Sequence, residues 1–400
     1  MAEPRLKVIQ VITRLEAGGS SANTLACARS ISERFDSMLI CGVPEAQGAP
    51  CESAGGVRLL EIKQLKRSIS PLDDLKAFRS LLAAYRREKP DIVHTHTSKA
   101  GILGRWAAWA YNRTADKPCL IIHTPHGHVL FGYFGSWKTW VFAAAERLTA
   151  RVTDRLVALS QGEMQESQQA GIGLPRQWSV IPSGITFPSQ MEIGLCRERG
   201  HGLRAALGLA PEQTVIGTVA RLEPVKGVRY LIAAAPSVLR AAPQARFLVV
   251  GDGALRHQLE NLARRLGVAE QTIFTGHKDH PLDWMAAMDV YVQPSLNEGL
   301  GRTLVEAAVL GLPAVASRVC GIPDIVRHGR TGLLVPPGDP AALAEAVCRL
   351  AADPHLRQEL GAAARAHVLS PDENGLPRFS ADAMIIQLEQ LYGYSIPNHA

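Results

Sequence analysis

The stretch VIGTVARLEPVKG (215–227) opens as a β-branched run, stops at the cation Arg221, and passes Pro224 and Gly227 into the amphipathic segment 226–241. Short β-branched runs feeding longer helix-period runs read as β-α-β units and parallel sheets. The same alternation extends outward on both sides. In the second half, strands are read at 215–220, 246–251, 272–276, 289–293, 313–317 and 332–335. Helices fall near 226–241, 253–267, 302–311, 340–352 and 354–368. In the first half, strands are read at 7–13, 37–43, 58–62, 91–96, 120–125, 155–160 and 178–182, with helices near 20–34, 71–88, 99–112 and 136–150. Residues 186–213 lack a clear period and hold Pro188, Gly194, Gly200 and Gly202, so the linker is placed there. The expected fold is α/β, with Rossmann-like domains at 1–190 and 191–375 facing across a cleft. A last helix, about 376–395, follows the Ser370-Pro371 break. Ligands of such sheets sit beyond the carboxyl ends of the strands.

Composition agrees and excludes several classes. Four hundred residues suit two domains, and 46% hydrophobic against 20% charged residues describes a folded chain. The net charge of +6 is uneven: residues 1–190 carry 23 basic and 16 acidic side chains, residues 191–400 carry 20 and 21. No Lys/Arg block exceeds the pairs Lys66-Arg67 and Arg86-Arg87, which argues against a nucleic-acid partner. The seven cysteines are scattered without a C-x-x-C pair, which fits a reducing cytosol better than a disulfide framework or a zinc module. The N-terminus reads as too short in its apolar run for a signal peptide. No uninterrupted apolar stretch approaches the roughly 18 residues of a spanning helix, so a soluble or peripheral protein is expected.

Chemistry concentrates at a few strand-to-helix turns. Gly18-Gly19-Ser20-Ser21 follows the first strand, where small residues let backbone approach a phosphate at a helix start, though a plain tight turn reads equally well. His94, His96, His123, His126 and His128 fall at the ends of the fourth and fifth strands. They read as hydrogen-bonding groups toward a polar anionic ligand, with one or two structural, rather than as a zinc site. Arg221 and Lys226, five residues apart at a helix start, form a candidate pyrophosphate clamp. QPSLNEGLG (293–301) leads into the helix carrying Glu306, and the amides from Gly299 through Leu300 and Gly301 to Arg302 form a second anion cradle. Glu298 and Glu306 beside that cradle suit hydroxyl groups, one a ribose diol and the other a sugar.

These motifs in combination resemble the family 4 glycosyltransferases of the two-Rossmann GT-B fold over nearly the whole chain. The resemblance rests on A-G-G (17–19), HTPHGH (123–128), IPSGI (181–185), GTVARLEPVKG (217–227), VVGDG (249–253), PSLNEGLGRTLVEA (294–307), GIPDIV (321–326) and HGRTGLLVPPGD (328–339). It implies that Arg221 and Lys226 bind the donor diphosphate, Glu306 the ribose hydroxyls and Glu298 the donor sugar. Gly18 and Gly19 would approach the diphosphate from the first domain, and His126 would face the sugar. The last helix would return to the N-terminal domain. Thr186, Cys320 and Asp324 depart from the usual pattern of Asp, Gly and Glu.

Within the family, DIVHTHTSKAGILGR (91–105) with HTPHGH is similar to enzymes of exopolysaccharide, capsule and O-antigen assembly, whose acceptor is a polyprenyl-diphosphate-linked sugar. Residues 129–142 hold six of the 22 aromatic residues: Phe131, Tyr133, Phe134, Trp137, Trp140 and Phe142. In the basic half of the chain they suit a membrane interface, a helix packed into the domain core being the other reading. The expectation is therefore a retaining transferase using a nucleotide sugar, a UDP-sugar by preference, with no metal. It would sit in the cytoplasm, peripheral to an anionic membrane. A soluble acceptor, a nucleotide-sugar 2-epimerase and a non-catalytic scaffold are the rivals.

Overall fold

The computed structural model describes residues 5–15, 19–31, 34–43, 57–127 and 136–394. In the first unit the elements run β1 (Lys7–Arg14), α1 (Gly19–Ile31), β2 (Asp36–Gly42), β3 (Arg58–Glu61), α2 (Pro71–Glu88), β4 (Ile92–His96), α3 (Ser98–Asn112), β5 (Leu120–Thr124), α4 (Ser136–Ala150), β6 (Arg155–Ala158), α5 (Gln161–Gln169) and β7 (Trp178–Val180). Its seven strands lie in the order β3-β2-β1-β4-β5-β6-β7, and every pairing is parallel.

The second unit continues with α6 (Gln190–Ala206), β8 (Val215–Val219), α7 (Val228–Ala241), β9 (Arg246–Val250), α8 (Arg256–Arg265), β10 (Thr272–Gly276), α9 (Pro281–Met285), β11 (Val290–Gln293), α10 (Arg302–Val309), β12 (Ala314–Ser317), α11 (Ile322–Ile325), β13 (Gly332–Val335), α12 (Pro340–Ala352) and α13 (Pro354–Val368). Its six parallel strands lie in the order β10-β9-β8-β11-β12-β13. The last helix, α14 (Ala381–Tyr394), belongs to the first unit, whose chain leaves at Gly184. Met384, Ile385, Leu388 and Tyr392 pack it among Val8, Ile92 and Ile122 of the sheet.

Each sheet reverses strand order once, between β1 and β4 and between β8 and β11. The crevice at such a switch point is where open α/β sheets hold ligands. All thirteen strands expected from the sequence form. The linker expected at 186–213 does not: most of it is α6. Ser189 caps that helix, accepting from Glu192 N–H, while the Glu192 carboxylate accepts from Ser189 N–H, a reciprocal capping box. Gly200 lies so close to α9 that a Cβ would stand 2.7 Å from the Ala286 carbonyl carbon. It marks a helix crossing, not a break.

Candidate functional site

In the second unit the site residues collect at the β8/β11 switch point. Lys226 closes a 3-10 turn, Pro224–Lys226, beyond the end of β8. Gly227 next to it has φ 64°, and a Cβ there would stand 1.9 Å from the Pro294 carbonyl oxygen. Only glycine lets the two turns approach this closely. Leu296 N–H donates to the Val225 carbonyl at 2.7 Å, which stitches the β11 loop to the Lys226 turn. Leu300 is buried, and Gly301 takes φ 92° to start α10.

Those constraints bring Lys226 and Glu298 together, 72 residues apart in sequence. Lys226 Nζ lies 2.7 Å from Glu298 Oε1, with side chains 23% and 11% exposed. Gln293 Nε2 and Ser295 Oγ also donate to that oxygen, each at 2.9 Å. The sequence reading kept clamp lysine and sugar carboxylate apart; the structure makes them an ion pair. Arg221 stands more open, 49% exposed and 3.1 Å from Glu223 Oε1. Glu306 lies on the second turn of α10. Burial pushes its carboxyl above the ordinary value, and the Arg302 cation opposes that rise. Four charged side chains, Arg221, Lys226, Glu298 and Glu306, thus lie at one strand-end switch point, an arrangement able to receive an anion with hydroxyl groups attached.

In the first unit the histidines divide into two kinds. His94 and His123 are structural. His94 Nδ1 meets Tyr392 Oη at 2.7 Å and its Nε2 meets Thr124 Oγ1 at 2.8 Å, which ties α14 to the sheet. His123 Nδ1 approaches the Thr95 carbonyl at 3.1 Å, so that nitrogen carries the proton. A Cβ on Gly101 would stand 2.4 Å from the His123 ring, so the glycine of α3 makes room for it. His96 faces the strand ends: its Nδ1 lies 2.8 Å from His126 Nε2 and its Nε2 3.1 Å from Gln10 Oε1. Burial pushes His94 down to about 3, with the neighbouring His126 adding to the shift. It also holds His96 and His123 well below the ordinary imidazole value.

His126 itself sits in a strained turn, with φ 60° followed by Gly127 at φ 91°. Glu163, fully buried, holds that turn. One carboxylate oxygen accepts from Gly127 N–H and the other from Leu159 N–H, both at 2.7 Å. Neither Glu163 nor Gln10 was legible as a site residue. Ser160-x-x-Glu163 does carry a helix-start signature, and Ser160 caps α5. Nothing in the sequence says that the glutamate reaches back to residue 127. Gly19 is the exposed first residue of α1. Gly18 and His128 lie outside the described residues, as do Phe131, Tyr133 and Phe134. Among the described residues, no group of three or more His, Cys, Asp and Glu side chains is arranged to hold a metal ion.

Two parallel-sheet α/β units, one with cations and carboxylates at its switch point, suit a polar anionic ligand, and comparison with known proteins places the chain. Residues 202–367 match the family described as "Glycosyl transferases group 1", and residues 18–184 match "Glycosyl transferase 4-like domain". The chain belongs to this family 4 group of GT-B glycosyltransferases. It is 31% identical, over 80% of its length and 81% of the relative's, to a UDP-Gal:alpha-D-GlcNAc-diphosphoundecaprenol alpha-1,3-galactosyltransferase of Escherichia coli. A D-inositol 3-phosphate glycosyltransferase of Streptomyces bingchenggensis is 30% identical over 78% of this chain and 69% of its own. The crystal structure of Anabaena HepE with UDP and glucose shares the fold, with TM-score 0.78 at 23% identity, covering 98% of this chain and 100% of that one.

Proposed function

We propose that this glycosyltransferase moves a hexose, with retention of configuration, from a UDP-sugar to a polyprenyl-diphosphate-linked saccharide during assembly of a cell-surface polysaccharide. The carrying observation is the Lys226–Glu298 pair fixed at the β8/β11 switch point, with Arg221 and Glu306 beside it. On this reading Arg221, Lys226 and the Gly299–Arg302 amides stabilise charge growing on the departing diphosphate, where preorganised donors act most strongly. Glu306 holds the ribose diol and Glu298 a sugar hydroxyl; the family resemblance assigns Gly18, Gly19 and His126 to the donor as well. The acceptor oxygen attacks the anomeric carbon on the face the diphosphate leaves, the C1–O bond to phosphate breaks, and a phosphate oxygen takes the acceptor's proton. The cationic clamp fills the charge role that a divalent metal serves elsewhere.

The test is a panel of UDP-hexoses with a polyprenyl-diphosphate sugar acceptor, products identified by mass and anomeric configuration. Turnover is expected to survive excess chelator. Loss of activity that added magnesium or zinc restores would overturn the metal-independent clamp. Product formed only with soluble acceptors such as an inositol phosphate would favour the chemistry of the other relatives.

A lipid-linked acceptor keeps its tail in a bilayer, so its head lies at the cytoplasmic surface. Among the described residues no helix is long and apolar enough to cross a membrane. The reading therefore includes reversible docking at that surface. On α4, Trp137 and Trp140 are 70% and 67% exposed, and Val141 and Leu148 are exposed beside them. That disfavours the core reading for these tryptophans and fits an interfacial helix in the basic half of the chain. Binding to anionic vesicles should weaken with salt, each well-placed cation giving roughly 1 kcal/mol. Trp137→Ala with Trp140→Ala should weaken it further and leave slow UDP-sugar hydrolysis in solution nearly unchanged. A folded double variant that binds vesicles as before would remove α4 from the contact.

A further inference from the structure

The β8/β11 crevice holds a side chain that the donor-site reading does not use. Gln293, the last residue of β11, is 4% exposed and points both of its polar atoms at partners. Its Nε2 donates to Glu298 Oε1 at 2.9 Å. Its Oε1 accepts from Thr303 Oγ1, on the first turn of α10, at 2.9 Å, and lies 3.4 Å from the Tyr291 hydroxyl. Chemistry fixes this orientation: a carboxylate only accepts, so the amide nitrogen must face Glu298, and the oxygen must face the hydroxyls. Thr303 thereby aims the amide, and the amide aims the carboxylate.

The consequence lies in what happens to Lys226. Glu298 Oε1 receives three donors, Lys226, Gln293 and Ser295. A diphosphate bound by Lys226 draws the ammonium toward itself, because two phosphate charges outbid one carboxylate. The two neutral donors carry no competing charge and stay. We infer that Gln293, oriented by Thr303, is a positioning residue that keeps the Glu298 carboxylate aimed at the donor sugar while Lys226 engages the diphosphate. The inference rests on Glu298 contacting the sugar. It separates two functions that the ion pair alone would leave tied: phosphate binding by Lys226 and sugar recognition by Glu298.

A double-mutant cycle of Gln293→Met and Glu298→Gln tests it, with UDP affinity measured by calorimetry and kcat with UDP-galactose and UDP-glucose. Gln293→Met is expected to lower kcat about tenfold, the scale of a lost hydrogen bond to a charged group. UDP affinity should stay within twofold, since Arg221, Lys226 and Glu306 are untouched. In the Glu298→Gln background the same substitution should have almost no further effect, because its route to the sugar is gone. Thr303→Val is the milder second variant if Gln293→Met fails to fold. It removes only the hydroxyl that orients the amide, and the same non-additivity is expected. Additive losses, or a UDP affinity that falls in step with kcat, overturn the positioning role and make Gln293 a packing residue. If Glu298→Gln alone keeps wild-type kcat, the sugar-contact reading fails first and this inference with it.

Discussion

Lys226→Ala is expected to slow transfer by ~10²–10³-fold, the usual cost of removing one preorganised donor from a developing charge. The fold should survive. Lys226 closes a short turn, its side chain is about a quarter exposed, and the Glu298 carboxylate keeps Gln293 and Ser295 as donors when the ammonium is gone. The loss should fall on kcat and kcat/KM together, the signature of an interaction made mainly in the transition state. Arg221→Lys should be impaired too, because a point charge cannot match the two-pronged geometry of a guanidinium on phosphate. Steady-state kinetics with an intact circular-dichroism spectrum checks both. A Lys226→Ala enzyme within threefold of wild type would sink the clamp assignment.

Much of this site was legible because its signals are local. A strand that stops before a cation, a proline and glycine turn, and a helix that starts directly after Gly227 all lie within 215–228. The strand calendar was equally plain, since parallel strands buried on both faces read as continuous β-branched runs. What escaped the sequence depends on distant partners. Gly194, Gly200 and Gly202 read as part of a linker without a clear period, yet one of them fits a helix crossing at Ala286. The other two meet open space and each costs about 1 kcal/mol against alanine, a cost the capped helix tolerates. α5 is too polar to show a period, although Ser160 and Glu163 announce its start. The pairing of Lys226 with Glu298 and the grip of Glu163 on the His126 turn span 72 and 36 residues. Spacing along a chain carries no signal for contacts that only the folded sheet creates.

The histidine cluster, read at first as a ligand site, has a second and larger expected consequence. His94, His96 and His123 are each fully buried and neutral in the fold, with proton affinities pushed far down by burial. Exposed by unfolding, each recovers the ordinary value near 6.5. Their folded values are depressed, so the unfolded chain binds more protons below pH 6.5. The stability is therefore fully present above that pH and lost as pH falls toward the folded values, for His94 about 3. Each fully transferred proton costs ~1.4 kcal/mol per pH unit, so three approach ~4 kcal/mol per unit. Against a typical 5–15 kcal/mol of stability, the first domain should open within a few pH units below 6.5. Asp154, whose carboxyl burial raises, takes up a proton in the fold and offsets part of this at the acid end. Arg105 does the reverse, since its cation further disfavours a charged His123. Because the chain has two domains, the measurement should be local: hydrogen exchange of β4 and β5 amides from pH 7.5 to 5. His94→Asn should lower the opening free energy at pH 7.5, for it loses the contact with Thr124. It should also flatten the pH dependence by about one proton, so the two curves converge in acid. Parallel curves would mean that His94 takes up protons alike in the folded and unfolded chain, and that burial does not hold it neutral.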